Sequence, residues 1–282
     1  MILFADSGST KTNWIVYNPE TKNKTEISTL GINPIVHHHD DIIRILNDNI
    51  ELTDLGASVK TIRFFGAGCS SELRNNIARN AMQSIFSDAE IFIDEDMIAA
   101  GIAVCKNKEG IACILGTGSN SIYFDGEKWH NSNAGIGFIL GDEASGAYFG
   151  KQILRDFLYG LMPTDIIYHL QDKYQLKKDD IFYNVYKNVS PNRYLASFAP
   201  ILTTYRQTDY VQNLMNEGFD VFFKYHIACF DNYKNFPVGF VGSIATHFQQ
   251  EIEIVAKKYE VELGNFIQRP IDELVQFYTQ GK

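Results

Sequence analysis

The sequence predicts an α/β protein of two related halves, each a mixed β-sheet covered by helices. Three observations carry this. Short apolar runs and helical periodicities in residues 1–105 follow the order strand, strand, strand, helix, strand, helix, strand, helix. An apolar run that ends in a Gly/Ser/Thr turn and leads into another strand occurs twice, at 2–17 and again at 111–124. The 282 residues are enough for two domains at roughly 150 residues each. The expected domains are 1–105 and 106–282, the second with a helical insert at about 151–232.

The elements follow in order. Residues 2–5 are apolar and run into Asp6-Ser-Gly-Ser-Thr10. Residues 13–17 read as a second strand, and Asn18-Pro19-Glu20 as a turn toward a third strand at 25–30. Ile42, Ile43, Leu46 and Ile50 lie at helical spacing, which predicts one helix over 40–52. A strand at 61–65, a helix over 71–86, a strand at 91–93 and a helix over 97–104 complete the first half. The second half opens with the strand 111–115, the turn Gly116-Thr-Gly-Ser-Asn-Ser121 and a strand through Ile122-Tyr-Phe. From Glu143 to about Asp231 the pattern is mostly helical, broken at Pro163 and Pro191. A buried strand at 238–241 leads into Gly242-Ser243 and a helix to about Lys257. A last strand is predicted at 259–263 and a last helix at 270–278.

Composition narrows the function. Hydrophobic residues at 45% and charged residues at 21% are ordinary globular values, which excludes a disordered chain or a fibre. No apolar run is long enough to span a bilayer. A net charge of −9 speaks against a nucleic-acid partner, which needs a basic surface. The start, Met-Ile-Leu-Phe-Ala-Asp6, lacks the basic and long apolar regions of a signal peptide. Cys69, Cys105, Cys113 and Cys229 form no C-x-x-C pair, which disfavours a structural zinc or cluster site. A cytoplasmic protein with free thiols is expected.

Three small-residue turns could hold phosphate. In Asp6-Ser7-Gly8-Ser9-Thr10-Lys11-Thr12, small residues let backbone N–H groups approach a polyphosphate, hydroxyls add contacts, and an acid can hold Mg2+ through water. The spacing is not that of a P-loop, and a plain hairpin turn has the same composition. The second turn, Gly116-Thr117-Gly118-Ser119-Asn120, makes a pair with the first, one at the start of each half. The third, Gly239-Phe-Val-Gly242-Ser243, sits at a strand–helix junction. Asp96, in Asp94-Glu95-Asp96-Met97, follows a short apolar strand. It is either a helix cap or a general base, with Asp94 and Glu95 as positional rivals. Asp142 and Glu143, between glycines, either cap a helix or grip sugar hydroxyls.

Together these residues resemble the N-acetylglucosamine kinase branch of the BadF/BcrA-type ATPase family, within the actin/hexokinase/Hsp70 superfamily. The motifs are Asp6-Ser-Gly-Ser-Thr10-Lys-Thr, Gly116-Thr117-Gly118-Ser119-Asn120 and Gly141-Asp142-Glu143-x-Ser145-Gly146, and the likeness covers nearly the whole chain. It implies two ribonuclease H-like (actin-like ATPase) domains with a cleft between them. It also implies ATP-dependent phosphorylation of an amino sugar hydroxyl, with ATP and a small sugar as partners and Mg2+ as cofactor. Asp6 would hold Mg2+ through water. Gly8, Ser9, Thr10, Lys11, Thr117 and Gly118 would meet the phosphates, and Gly242 and Ser243 would lie beside the adenosine. Asp96 would be the base. Asn33, Ser119, Asn120, Gly135, Ile136, Gly137 and Asp142 would form the sugar pocket. Kinases of this kind often have Gly-Trp-Gly where this chain has Gly135-Ile136-Gly137, so N-acetylglucosamine, glucosamine and N-acetylmuramic acid all stay open. The cysteine motif of the dehydratase activators in the same superfamily is absent.

Two alternatives from other classes fit the same fold, a sugar or nucleotide sensor and an ATPase that drives a partner. The helical insert offers a face for a homodimer. His37-His38-His39 reads as a surface loop and helix start, with metal binding as the lesser reading. Cys69 reads as structural, with the sugar pocket as its lesser reading.

Overall fold

Strand β1 (Ile2–Ser7) buries side chains on both faces, because Leu3 and Ala5 point to one side and Phe4 to the other. Such a strand belongs in the middle of a sheet. It has β2 (Lys11–Tyr17) antiparallel on one side and β4 (Thr61–Gly66) parallel on the other. The outer positions are taken by β3 (Lys24–Leu30) and β5 (Glu90–Glu95), giving the order β3-β2-β1-β4-β5. The computed structural model describes residues 1–8, 10–132 and 135–280. Ser9, expected among the phosphate ligands, lies outside the described residues.

The chain divides into two compact units, Met1–Asn107 with the segment from Arg269 onward, and Lys108–Gln268. In the first unit, Leu3, Ala5, Trp14, Ile62, Phe64, Ile91 and Ile93 pack against the helices His39–Asn47 and Glu72–Gln83. The single helix expected over 40–52 is broken. It stops at Asp48, and Asn49 starts the short helix Ile50–Thr53 by accepting the Leu52 N–H on its side chain. The other face of the sheet, with Phe4 and Ile15, is covered by Ile271 and Val275 of the helix Pro270–Thr279. The domain bounds predicted from sequence put that helix in the second half, within 106–282. It packs on the first sheet because its apolar stripe matches the face that β1 and β2 leave open, and Tyr278 reaches Phe4, Phe65 and the Arg63 guanidinium there.

The second unit repeats the first. Its strands β6 (Gly110–Leu115), β7 (Ser119–Phe124), β8 (Trp129–Asn131), β9 (Val238–Val241) and β10 (Leu263–Ile267) take the order β8-β7-β6-β9-β10. Again a three-strand antiparallel meander is followed by two parallel strands on the far side of its first strand. The last strand lies four residues later than expected. Tyr259 instead ends the helix Gln249–Tyr259, which is closed by Glu260 in the left-handed region. The helices between β8 and β9 build a large apolar core with β6 and β9.

One crossing in that core is very close. The helix Gly146–Tyr159 meets Pro191–Ala196 at Gly150, where an added Cβ would stand 1.8 Å from the Leu195 carbonyl oxygen. The obstacle is backbone and cannot rotate away. Gly150→Ala is therefore expected to cost about 3 kcal/mol. A thermal melt that matched the wild type would refute the close approach.

Candidate active site

In the first unit Asp6 lies near the carboxyl end of β1, and Asp94, Glu95 and Asp96 lie at that of β5, at the edge of the parallel strands where open α/β sheets bind ligands. Asp6 is next to last in β1, opposite Asn13 on β2 and Phe65 on β4. Burial pushes its carboxyl up to about 6, opposed by the Arg269 guanidinium. Arg269, which no local sequence pattern marks, donates to Glu26 at 2.8 Å, and its Nε is buried without a hydrogen-bond partner.

Asp96 opens the helix Asp96–Cys105 directly after β5. It is not the cap, which is Glu95. Its carboxylate accepts the N–H groups of Met97 and of Asp96 itself. The residue keeps a strip of exposed surface, yet dense packing around the carboxyl, then the charges of Asp6 and Glu95, push it up to about 7. Its two rivals have other neighbours. Asp94 is exposed and feels Arg63, and Glu95 feels Arg74.

The hairpin between β1 and β2 is tied to the next segment by buried hydroxyls. Ser7 and Thr12 share a 2.7 Å bond; the Ser7 Oγ also bonds both the carbonyl and the N–H of Ile32, and Thr12 donates to the Leu30 carbonyl. This fixes the chain one residue before Asn33. Gly8 closes the hairpin by donating to the Lys11 carbonyl at 3.1 Å; Lys11, the first residue of β2, is exposed, and Thr10 lies between them. The Asn33 Oδ1 accepts the Ile35 N–H at 2.9 Å and lies against Gly68, whose φ of +83° and missing Cβ leave room for it. Among the described residues no acceptor meets the Asn33 Nδ2. His37 accepts the Asn33 N–H on Nδ1, His38 caps the next helix, and His39 pairs with Asp40, so the three histidines shape a turn and a helix start. Cys69 is buried, and its thiol is pushed up to about 12, chiefly by burial, which leaves it inert.

In the second unit the turns are locked to one another through backbone. Gly116 donates to the Gly118 carbonyl, while the Gly116 and Thr117 carbonyls accept the N–H groups of Gly146 and Ala147 at 2.8 and 3.0 Å. Ser145 caps that helix by accepting the Tyr148 N–H, so the capping alternative for Asp142 is not realised. Gly242, at φ +113°, lies so close to Leu115 that an added Cβ would be 2.5 Å from its carbonyl oxygen. The Gly242-Ser243 junction thus abuts the Gly116–Gly118 turn, with exposed Ser243 starting the short helix Ser243–His247.

The expected sugar residues of this unit also cluster. The Asp142 carboxylate accepts the Ser119 N–H, and burial pushes it up to about 6. It fills the space over Gly118, where a Cβ would stand 2.9 Å from Oδ2. Ser119 donates its hydroxyl to the Glu143 carbonyl at 2.7 Å, and Asn120 takes the Ser121 N–H on Oδ1. Gly135, at φ +78°, lies against the Asn120 amide. Ile136 is 56% exposed and packs one edge on Gly141, while Gly137, at φ +79°, borders open space.

The sequence model of the BadF/BadG/BcrA/BcrD ATPase family matches residues 5–205. No curated protein matches the chain in sequence. Among solved structures, a candidate N-acetylglucosamine kinase from Porphyromonas gingivalis is 34% identical, with 100% of this chain and 99% of that chain covered and a TM-score of 0.92. A candidate N-acetylglucosamine kinase from Chromobacterium violaceum is 14% identical, with 99% and 98% covered and a TM-score of 0.76. A hexokinase from Schistosoma mansoni complexed with glucose is 11% identical, with 99% and 85% covered and a TM-score of 0.54. The last two are likenesses of fold, and the fold they share is that of the actin and hexokinase ATPases.

Proposed function

Because the chain belongs to the BadF/BadG/BcrA/BcrD ATPase family, we propose that it is an ATP-dependent kinase that phosphorylates a hydroxyl of an amino sugar of the N-acetylglucosamine kind. The observation that carries this is Asp96, a carboxyl pushed up to about 7 at the carboxyl end of β5, among the parallel strands of a mixed sheet. A base poised near neutrality suits the removal of a proton from a sugar hydroxyl. Binding alone has no need of such a base, whereas a partner-driving ATPase is distinguished by turnover without sugar.

The roles divide between the units. Asp96 takes the proton of the attacking hydroxyl. Asn33 offers its Nδ2 to the sugar, and Ser119, Asn120, Gly135, Ile136, Gly137 and Asp142 complete the pocket. Gly8, Ser9, Thr10, Lys11, Thr117 and Gly118 meet the phosphates, and Gly242 and Ser243 the adenosine. Among the described residues no three of His, Cys, Asp and Glu come together as a metal set. Asp6, half-buried near the end of β1, suits Mg2+, which keeps its waters and takes phosphate oxygens with one or two carboxylates. When bound, that ion neutralises charge on the transferred phosphoryl group.

The test is ADP release with Mg-ATP alone, then with N-acetylglucosamine, glucosamine and N-acetylmuramic acid in turn. Release that depends on one of these sugars and yields its phosphate supports the proposal. Equal release without sugar would make the protein an ATPase, and none under any condition would favour a sensor.

Asn33 allows a separate check. Asn33→Asp keeps the oxygen that takes the Ile35 N–H but loses the amide donor. The sugar KM is expected to rise roughly 5- to 150-fold, equivalent to a lost bond of about 1–3 kcal/mol, with little change in the ATP KM. A loss of thermal stability with both constants unmoved would reduce Asn33 to a turn residue.

A further inference from the structure

Asp142, at φ +54°, and Ala144, at φ +56°, both hold the left-handed backbone region, one on each side of Glu143. Non-glycine residues stay there only where their surroundings over-determine them. Three bonds do so here. Ser145 donates its N–H to the Asp142 carbonyl at 3.1 Å, and Ser119 donates its hydroxyl to the Glu143 carbonyl at 2.7 Å. The third is made by a side chain 83 residues away: His226 Nε2 stands 3.0 Å from Glu143 Oε2.

His226 is fully buried and held from two directions. Its ring stacks on Phe222 at 4.3 Å between centroids and 13° between planes. Its backbone carbonyl accepts the Ser121 hydroxyl at 2.7 Å. It lies on the π-turn Phe223–Ile227, a wide turn of the kind that recurs at functional sites. Ser119 and Ser121 are two apart on β7 and point to the same face. Each hydroxyl takes one member of the Glu143–His226 pair, so Ser119, Glu143, His226 and Ser121 close a ring.

Burial holds His226 below the usual histidine range, which keeps the ring neutral at pH 7. Facing a carboxylate, its proton belongs on Nε2, and Nδ1 is left as a buried acceptor without a partner. An apolar side chain would fill the same space with no orphaned atom. The ring is therefore explained by the Nε2–H it gives to Glu143, not by its volume.

We infer that His226 is a positioning residue: through Glu143 it fixes the left-handed Asp142–Ala144 turn, and with it the Asp142 carboxylate over Gly118 and Ser119. The inference rests on the reading that Asp142 binds the sugar. Its test compares His226→Leu, His226→Gln, Glu143→Ala and the double variant His226→Leu/Glu143→Ala. Sugar and ATP KM, hydrogen exchange over 141–147 and thermal midpoint are measured for each.

His226→Leu is expected to raise the sugar KM about tenfold or more, leave the ATP KM within about twofold, and speed exchange over 141–147. His226→Gln, whose amide still donates, should restore most of both. The double variant should be no worse than Glu143→Ala alone, because the two side chains act as a unit. A lower midpoint with wild-type sugar KM and wild-type exchange would make His226 a core filler and overturn the inference, as would additive losses in the double variant. If His226→Leu does not fold, Glu143→Ala decides by the same exchange measurement, since Glu143 is partly exposed. If the wild type phosphorylates no amino sugar, the proposed function falls, while exchange over 141–147 still settles whether His226 holds this turn.

Discussion

Asp96→Asn is expected to lower kcat by about two orders of magnitude or more, the usual contribution of a positioned base. The amide keeps the shape and can still accept the N–H groups that the carboxylate holds. It cannot take a proton. Nucleotide affinity should be unchanged, since the carboxylate serves the sugar. The wild-type rate should fall as pH drops through about 7, where Asp96 becomes protonated, and this limb should vanish in the variant. Stability should move the opposite way. The folded-state value lies above the ordinary aspartate value of 3.8, so the neutral form is favoured by folding. Its stabilising contribution is complete below about 4 and lost as pH rises to about 7. At pH 8 the variant should therefore melt higher than the wild type, with the difference closing toward pH 4. A variant that folds, binds ATP and phosphorylates at near-normal rate would remove Asp96 from the chemistry, and Asp94 and Glu95 would be tested next.

Asp6→Ala is expected to cost roughly 10²-fold or more in Mg-ATP-dependent turnover, as when a charge-stabilising group is removed from a transferring phosphoryl group. A half-buried carboxyl at a strand end, before a Gly/Ser/Thr turn, carries a desolvation cost that the Arg269 charge opposes and that a bound cation would offset further. Wild-type-like turnover at saturating Mg2+ would exclude it. The charge of Asp6 is also one cause of the raised Asp96 value. Without it Asp96 ionises more readily, so the acid limb of any residual activity should shift to lower pH.

Much of the architecture was legible because buried strands announce themselves. The runs in β1 and β6, each ending in a small-residue turn, revealed the repeat, and the two sheets share one strand order. The three-residue β8 was missed because it offers no apolar run, and Trp129 instead stacks on Phe124 at 4.4 Å. The break after Asn47 was missed because the Ile42–Ile50 spacing continues across it, while the cap on Asn49 is a local choice of one side chain. Glycines and acids at strand ends made the candidate site readable. Arg269 and His226 were invisible because their importance lies in partners 243 and 83 residues away, Glu26 and Glu143, which no local pattern signals.

The chain leaves the first unit after Asn107 and returns to it at Arg269. On the ribosome this sets an order of events. The five strands of the first sheet are made early, but the cluster around Phe4 and Ile15 lacks its cover from Ile271 and Val275 until these emerge, after the whole of the second unit. For that interval the nascent protein shows apolar surface of the kind that chaperones cover and that promotes aggregation. A chain cut at Gln268 would keep every strand of both sheets and still strip Phe4 and Ile15 of their Ile271 and Val275 cover, so loss of the segment from Arg269 onward would damage the part made first.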